Sequence, residues 1–333
     1  MTTRHSGTKI RVHVQQSKNS LDVFQVTRER LFSMLETHPD ITARVDFSFG
    51  HDRVSLDKGI ADADVMLVGN FEAEDLKARA PRLSWVQSIF AGVEKLAPSI
   101  PDGIVLTNGS GIHAPKAAEY ALCALLMLNS NVPKFMELQR EKRFHPIFTD
   151  VIAGKTVVIL GTGKIGVAIA VHARQMGMRV IGVSRSGKLV DSFDEVAPIA
   201  RLNDMLPRAQ FLISTLPNTV ETKHLLGALQ FGRMPNGAGF VSLGRGQVVD
   251  EVALVAALQS GKLGGAVLDV FEEEPLPESS PLWGLNNAVL SAHCAVDDLE
   301  NYLQRAIDIF ADNVRRYIDG KPLENVIDTK LGY

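Results

Sequence analysis

Short apolar runs recur along the chain and alternate with stretches whose apolar residues fall at helical spacing. In the first third, residues 10–14, 45–49, 65–68, 85–89 and 104–107 read as strands, with helices over 28–36 and 72–80 between them. From Lys155 onward, residues 157–160, 179–183, 211–216, 239–244, 265–271 and 288–291 read as strands, with helices over 165–176 and 250–260. Continuous apolar runs suit strands buried on both faces, and strand–helix alternation predicts parallel sheets covered by helices. Two helical patterns stand apart, a long one over 115–143 with Pro115 in its first turn and a final one over 299–317. The middle of the long pattern, residues 121–128, is apolar nearly all round. Such a helix must be covered on more than one side, by a core or by a second subunit.

A length of 333 residues exceeds one ordinary core and predicts two domains. The net charge of −3 and the scattered Lys and Arg point to neither nucleic acid nor a membrane surface as partner. Only two cysteines are present, Cys123 and Cys294, so a disulfide framework is not expected and a reducing cytoplasm is the expected home. Residues 1–7 are polar, unlike a signal peptide, and the most apolar run is far shorter than the roughly 20 residues that cross a bilayer.

Chemistry enters at residues 156–166, Thr-Val-Val-Ile-Leu-Gly-Thr-Gly-Lys-Ile-Gly. Gly161, Gly163 and Gly166 stand at G-x-G-x-x-G spacing between an expected strand and an expected helix, the context that gives this motif its meaning. The first glycine permits a tight turn, the second lets the backbone approach a pyrophosphate, and the third lets helix and strand pack closely. The helix N-terminus then offers free N–H groups to the phosphates. A dinucleotide site follows. An acid would hold the ribose of NAD at the end of the second strand, about 20 residues beyond the glycines. That acid is missing: Ser184, Arg185 and Ser186 stand there, with Lys188 nearby. A carboxylate repels a 2′-phosphate, whereas Arg binds it through paired charged hydrogen bonds, so NADP is expected, with NAD as the second choice.

Three more residues follow expected strands of the same half: Arg245, Glu274 and His293. A guanidinium can clamp a carboxylate, and a histidine beside a carboxylate makes a proton donor. Each has a plainer alternative, respectively a surface charge, part of a solvated acidic loop and a core histidine. Their common place after strands of a dinucleotide domain favours a site.

The segments 161–166, 244–250 (Gly-Arg-Gly-Gln-Val-Val-Asp), 268–275 (Leu-Asp-Val-Phe-Glu-Glu-Glu-Pro) and 283–293 together resemble the D-2-hydroxyacid dehydrogenase family. So do Phe-Ala-Gly-Val-Glu at 90–94, Ala118-Glu119 and the segment 325–333, in family order along nearly the whole chain. Ser184-Arg185-Ser186 is similar to the NADP-using glyoxylate/hydroxypyruvate reductase branch. The resemblance implies an α/β fold of two Rossmann-like doubly wound parallel-sheet domains, the cofactor domain inserted into the substrate domain. Residues 1–110 and 298–333 would form the substrate domain and 111–297 the dinucleotide-binding domain. It implies Arg245 as binder of the keto-acid carboxylate and carbonyl, Glu274 as the carboxylate that orients and charges His293, and His293 as the general acid. Ala91, Gly92 and Val93 would meet the substrate carboxylate. Gly161, Thr162, Gly163, Lys164, Ile165, Gly166, Thr215, Leu216, Pro217 and Leu243 would line the cofactor, with Ser184, Arg185 and Ser186 at its ribose and Asp269 on the nicotinamide carboxamide. No metal is implied. A glutamate rather than Gln at 274 disfavours formate as substrate. The expected partner molecule is a small 2-oxo or 2-hydroxy acid, and the expected assembly a homodimer. A nucleotide-sensing binding protein or corepressor on the same fold, and a phosphite-oxidising enzyme, are the alternatives. The sequence departs from the family at the catalytic histidine, whose preceding Thr-Pro is here Ser291-Ala292, followed by Cys294.

Overall fold

The computed structural model describes residues 9–17, 21–69 and 76–329. They form two compact units, one from Met1–Ile112 with Asp298–Tyr333, the other from His113–Asp297.

The first unit carries strands β1 (Ile10–Gln15), β2 (Val45–Gly50), β3 (Val65–Val68), β4 (Trp85–Ser88) and β5 (Val105–Thr107) in one parallel sheet of order β2-β1-β3-β4-β5. β3 and β4 are buried along their whole length; β3 is the continuous apolar run that burial on both faces predicts, whereas β4 buries the polar Gln87 and Ser88 at its end. The expected helix at 28–36 is Arg28–Met34, finished by a 3-10 turn. Helices Pro39–Arg44 and Arg53–Ile60 are additional; both are short, the first opening on a proline without a side-chain cap and the second on a capping box of Asp52 and Ser55. Of the helix expected at 72–80, Leu76–Arg79 is seen and the residues before it lie outside those described. The segment 330–333 lies outside them too. The late helix Tyr302–Ile318 returns to this unit and buries Tyr302, Ile307, Phe310 and Val314 in its core. Trp85 stacks on Phe310 with centroids 5.6 Å apart. Buried Asn313 ties the helix to the sheet through Gln87 and to the following segment through Glu324.

The second unit holds seven parallel strands: β6 (Thr156–Leu160), β7 (Arg179–Ser184), β8 (Glu195–Pro198), β9 (Phe211–Ser214), β10 (Ala238–Ser242), β11 (Leu263–Leu268) and β12 (Ala288–Leu290). Their order is β12-β11-β10-β9-β6-β7-β8. The chain therefore runs outward from β6 to one edge, returns, and runs outward from β9 to the other. The switch point lies between β6 and β9, and ligands of such sheets bind outside the carboxyl ends of the strands there. β8 was not expected, because four residues ending in proline make a weak strand signal at an edge. The long helix expected over 115–143 is two helices, Ala114–Asn129 and Val132–Arg140. Asn131 takes a left-handed φ of 52°, and Pro133, without an N–H, belongs in the first turn of a new helix. Ala117, Ala118, Ala121 and Ala124 are buried on the first of these helices. They meet the helix Lys164–Gln175, whose buried positions are equally small apart from Ile169, so the two backbones lie close together. Among the described residues no helix is long and apolar enough to cross a membrane.

Candidate active site

The glycine loop follows β6 directly. Gly161 has φ 100°, open to glycine and hostile to other residues, and its N–H reaches the Val183 carbonyl at 2.8 Å. At Gly166 an added Cβ would stand 1.9 Å from the Gly161 carbonyl oxygen, so only glycine lets the helix begin this close to the strand. At Gly163, which precedes helix Lys164–Gln175, a Cβ would meet nothing within 4 Å. No acidic residue occupies the first turn of that helix. Open space before an uncompensated helix N-terminus suits an anion. Thr162 packs its methyl toward Gly182, Lys164 is exposed, and Ile165 packs against the core. Across the switch point Thr215 donates to the Leu160 carbonyl through both its amide and its hydroxyl, each at 2.9 Å. Leu216 and Leu243 are buried beside it, and the Pro217 carbonyl is held by Thr222 Oγ1 at 2.6 Å.

At the end of β7 two serines shape the loop. Ser184 Oγ accepts the Gly187 amide at 3.2 Å and Ser186 Oγ accepts the Lys188 amide at 3.3 Å. Arg185 and Lys188 are exposed on it.

Arg245 follows β10, with Nη1 donating to the Gly244 carbonyl at 3.1 Å. Its neighbour Gly246 is pressed on the next loop: a Cβ there would lie 1.9 Å from the Phe271 carbonyl group. Gln247 adds a hydrogen bond to the Glu272 carbonyl at 2.8 Å, so the Arg245 turn and the 271–274 turn are locked together. Of the three glutamates in that turn, geometry selects one. Glu274 Oε2 lies 2.7 Å from His293 Nδ1 while Oε1 accepts the Phe271 amide at 2.9 Å. Glu272 pairs instead with His224, and Glu273 is exposed. Burial raises the pKa of neighbouring Glu251, whose carboxylate accepts the Glu272 amide, and the charges of Glu272, Glu273 and Glu274 add to the rise.

Asp269, fully buried at the end of β11, organises the turn that carries His293. Its Oδ1 accepts Ser291 Oγ at 2.7 Å and the amides of Cys294 and Ala295 at 3.1 Å, and its carbonyl accepts the His293 amide at 2.8 Å. The motif reading had no place for Ser291 or for Tyr120, whose hydroxyl lies 3.0 Å from Ser291 Oγ. A polar residue directly after an apolar strand was the available signal.

The second unit thus brings Arg245, Glu274, Asp269 and His293 onto loops at the carboxyl ends of adjacent strands β10, β11 and β12. Ala91, Gly92 and Val93 belong to the first unit, just after β4; Asn108 holds the Ala91 carbonyl and the Ala97 amide holds that of Val93.

Residues 122–295 match the family described as D-isomer specific 2-hydroxyacid dehydrogenase, NAD binding domain. The chain belongs to that family. It is therefore an oxidoreductase on a nicotinamide-dinucleotide fold. Among its relatives is a glyoxylate reductase of Aeropyrum pernix, 34% identical over 268 residues, which are 77% of this chain and 80% of the relative. A D-isomer specific 2-hydroxyacid dehydrogenase of Xanthobacter autotrophicus, solved in complex with NADPH and MES, is 29% identical and superposes with a TM-score of 0.82 over 98% of this chain and 100% of that one. An NADPH-dependent glyoxylate/hydroxypyruvate reductase of Sinorhizobium meliloti, solved with NADP and sulfate, is 27% identical with a TM-score of 0.79 over 98% and 100% of the two chains.

Proposed function

We propose that this family member is an NADPH-preferring reductase of small 2-oxo acids of the glyoxylate or hydroxypyruvate kind, forming the D-2-hydroxy acid. The observation that carries the reading is the His293–Glu274 pair, a 2.7 Å contact on a loop end of a dinucleotide fold. The residues fit the dinucleotide: open space at Gly163, an acid-free helix start, and Arg185 exposed where an NAD-type acid is missing. Gly161, Thr162, Gly163, Lys164, Ile165 and Gly166 would hold the pyrophosphate. Ser184, Arg185 and Ser186 would take the 2′-phosphate, and Thr215, Leu216, Pro217 and Leu243 would line the nicotinamide half. Asp269 Oδ2, which accepts the Ala295 amide at 3.2 Å, would take the carboxamide as a further donor. When bound, the cofactor supplies the hydride.

The protein's own part is charge and proton management. Arg245 would pair with the substrate carboxylate and stabilise negative charge growing on the carbonyl oxygen. The Gly92 and Val93 amides are proposed as further donors to the carboxylate. Glu274 engages Nδ1 of His293, which fixes the ring and leaves Nε2 to give its proton to the developing alkoxide.

We further propose a cytoplasmic homodimer. Leu126, Phe135, Met136, Phe144, Phe148 and Val151 are exposed within one short stretch, more apolar surface than a monomer ordinarily leaves to water. NADPH oxidation followed with glyoxylate, hydroxypyruvate, pyruvate, phenylpyruvate and no acid tests the function. Turnover of the two smallest hydroxylated or unsubstituted acids supports it. Binding of NADPH without turnover of any acid would mean a nucleotide-sensing protein instead.

A further inference from the structure

His293 is held in a backbone conformation it does not favour. Its φ is 50°, in the left-handed region, which is unfavourable for a non-glycine residue and persists only where neighbours enforce it. The residue before it is Ala292, which adds no ring constraint of its own. What enforces the turn is a set of hydrogen bonds centred on Asp269. Downstream of the histidine, Asp269 Oδ1 takes the Cys294 and Ala295 amides; upstream it takes the Ser291 hydroxyl.

The direction of the next bond follows from proton counting. Ser291 has one hydroxyl proton, and it points at a carboxylate oxygen 2.7 Å away. In the 3.0 Å contact between the two hydroxyls, Tyr120 is therefore the donor and Ser291 the acceptor. Burial raises the Tyr120 phenol above its ordinary pKa, which keeps that proton in place. Tyr120 sits on the helix Ala114–Asn129, whose alanine face is packed on the glycine-loop helix, so the anchor is a rigid one.

We infer that Tyr120 is a positioning residue for His293: it fixes the Ser291 hydroxyl, Ser291 fixes the Asp269 carboxylate, and the carboxylate clamps the turn on both sides of the imidazole. The inference rests on the reading of His293 as the proton donor. It extends the site to a side chain on the helix Ala114–Asn129, one position beyond the Ala118-Glu119 pair of the family resemblance. Through this chain of donors the packing of two helices reaches the placement of the histidine.

The test is a double-mutant cycle on the holoenzyme with four readouts: kcat, KM for NADPH, melting temperature, and amide exchange at Cys294 and Ala295. Tyr120→Phe keeps the ring and removes one hydrogen bond; it should lower kcat about 3- to 10-fold and speed those two amides while leaving KM for NADPH unchanged. Ser291→Ala should lower kcat about 10- to 100-fold, and Ser291→Thr, which restores a hydroxyl, should recover most of it. Because both residues act along one path, Tyr120→Phe in the Ser291→Ala background should cost nothing more. Losses that multiply in the double variant, or a Tyr120→Phe enzyme with unchanged kcat and unchanged exchange, would overturn the positioning role. His293→Asn is the control for the underlying reading: full turnover in that variant refutes the histidine as donor, whatever Tyr120 does.

Discussion

His293 Nδ1 lies 2.7 Å from Glu274 Oε2, and the other oxygen of that carboxylate is fixed by the Phe271 amide. The carboxylate is thus immobilised on one side and in contact with the ring on the other. Glu274→Gln keeps the shape and removes the charge that faces the ring, and should lower kcat about 10- to 100-fold without changing KM for the cofactor. His293→Asn should cost about 10²- to 10⁴-fold in kcat. Steady-state kinetics of the two variants decide the matter: a Glu274→Gln enzyme with unchanged kcat means that the carboxylate does not support the proton donor.

Arg185 is exposed on the loop after β7, whose two serine hydroxyls each accept a loop amide and keep their own protons to donate. A charged hydrogen bond contributes about 1.5–3 kcal/mol, so Arg185→Ala should raise KM for NADPH on the order of 10- to 100-fold and hardly move KM for NADH. Equal losses with both cofactors would contradict a 2′-phosphate contact.

In the first unit, His13 is fully buried between Ser48 Oγ and Gln15 Oε1, each 2.9 Å away, with Gly59 and Gly50 flat against the ring. Burial lowers its pKa below 6.5 in the folded state, and the bond to Gln15 offsets part of this. A histidine depressed on folding stabilises the fold fully above its unfolded pKa, and that contribution disappears as pH falls through 6.5 toward the folded value. The melting temperature should therefore fall on acidification from pH 7.5 to 5.5 more steeply in the wild type than in His13→Gln. Parallel slopes would show that another group governs the acid limb.

For the assembly, sedimentation at micromolar concentration should give a dimer, and Phe148→Glu should shift it toward monomer with little change in the circular dichroism of the chain. A wild-type monomer would require another explanation for the exposed run from Leu126 to Val151.

Much of this was readable in the residues because the signals were local. The glycine spacing, the apolar runs of β3, β6 and β9, and the polar ends of β10 to β12 each depend on a few consecutive positions. The break at Asn131 was hidden because Asn in a left-handed conformation and Pro in a first turn are both compatible with one continuous apolar pattern. Glu274 could be told from Glu272 only by resemblance, since three adjacent glutamates carry no internal ranking. Their partners His293 and His224 lie far away in sequence on either side. The Tyr120–Ser291 contact spans more of the chain still, and neither residue type announces chemistry by itself.

The helix Tyr302–Ile318 has a consequence for how the protein is made. Trp85, Leu31 and Ile307 share one core, so the five-stranded sheet emerges from the ribosome long before the helix that covers one of its faces. The unit from His113 to Asp297 is synthesised whole in the interval and contains its own core residues. Translation arrested before residue 302 would therefore release a chain with a closed nucleotide fold and an open, aggregation-prone sheet.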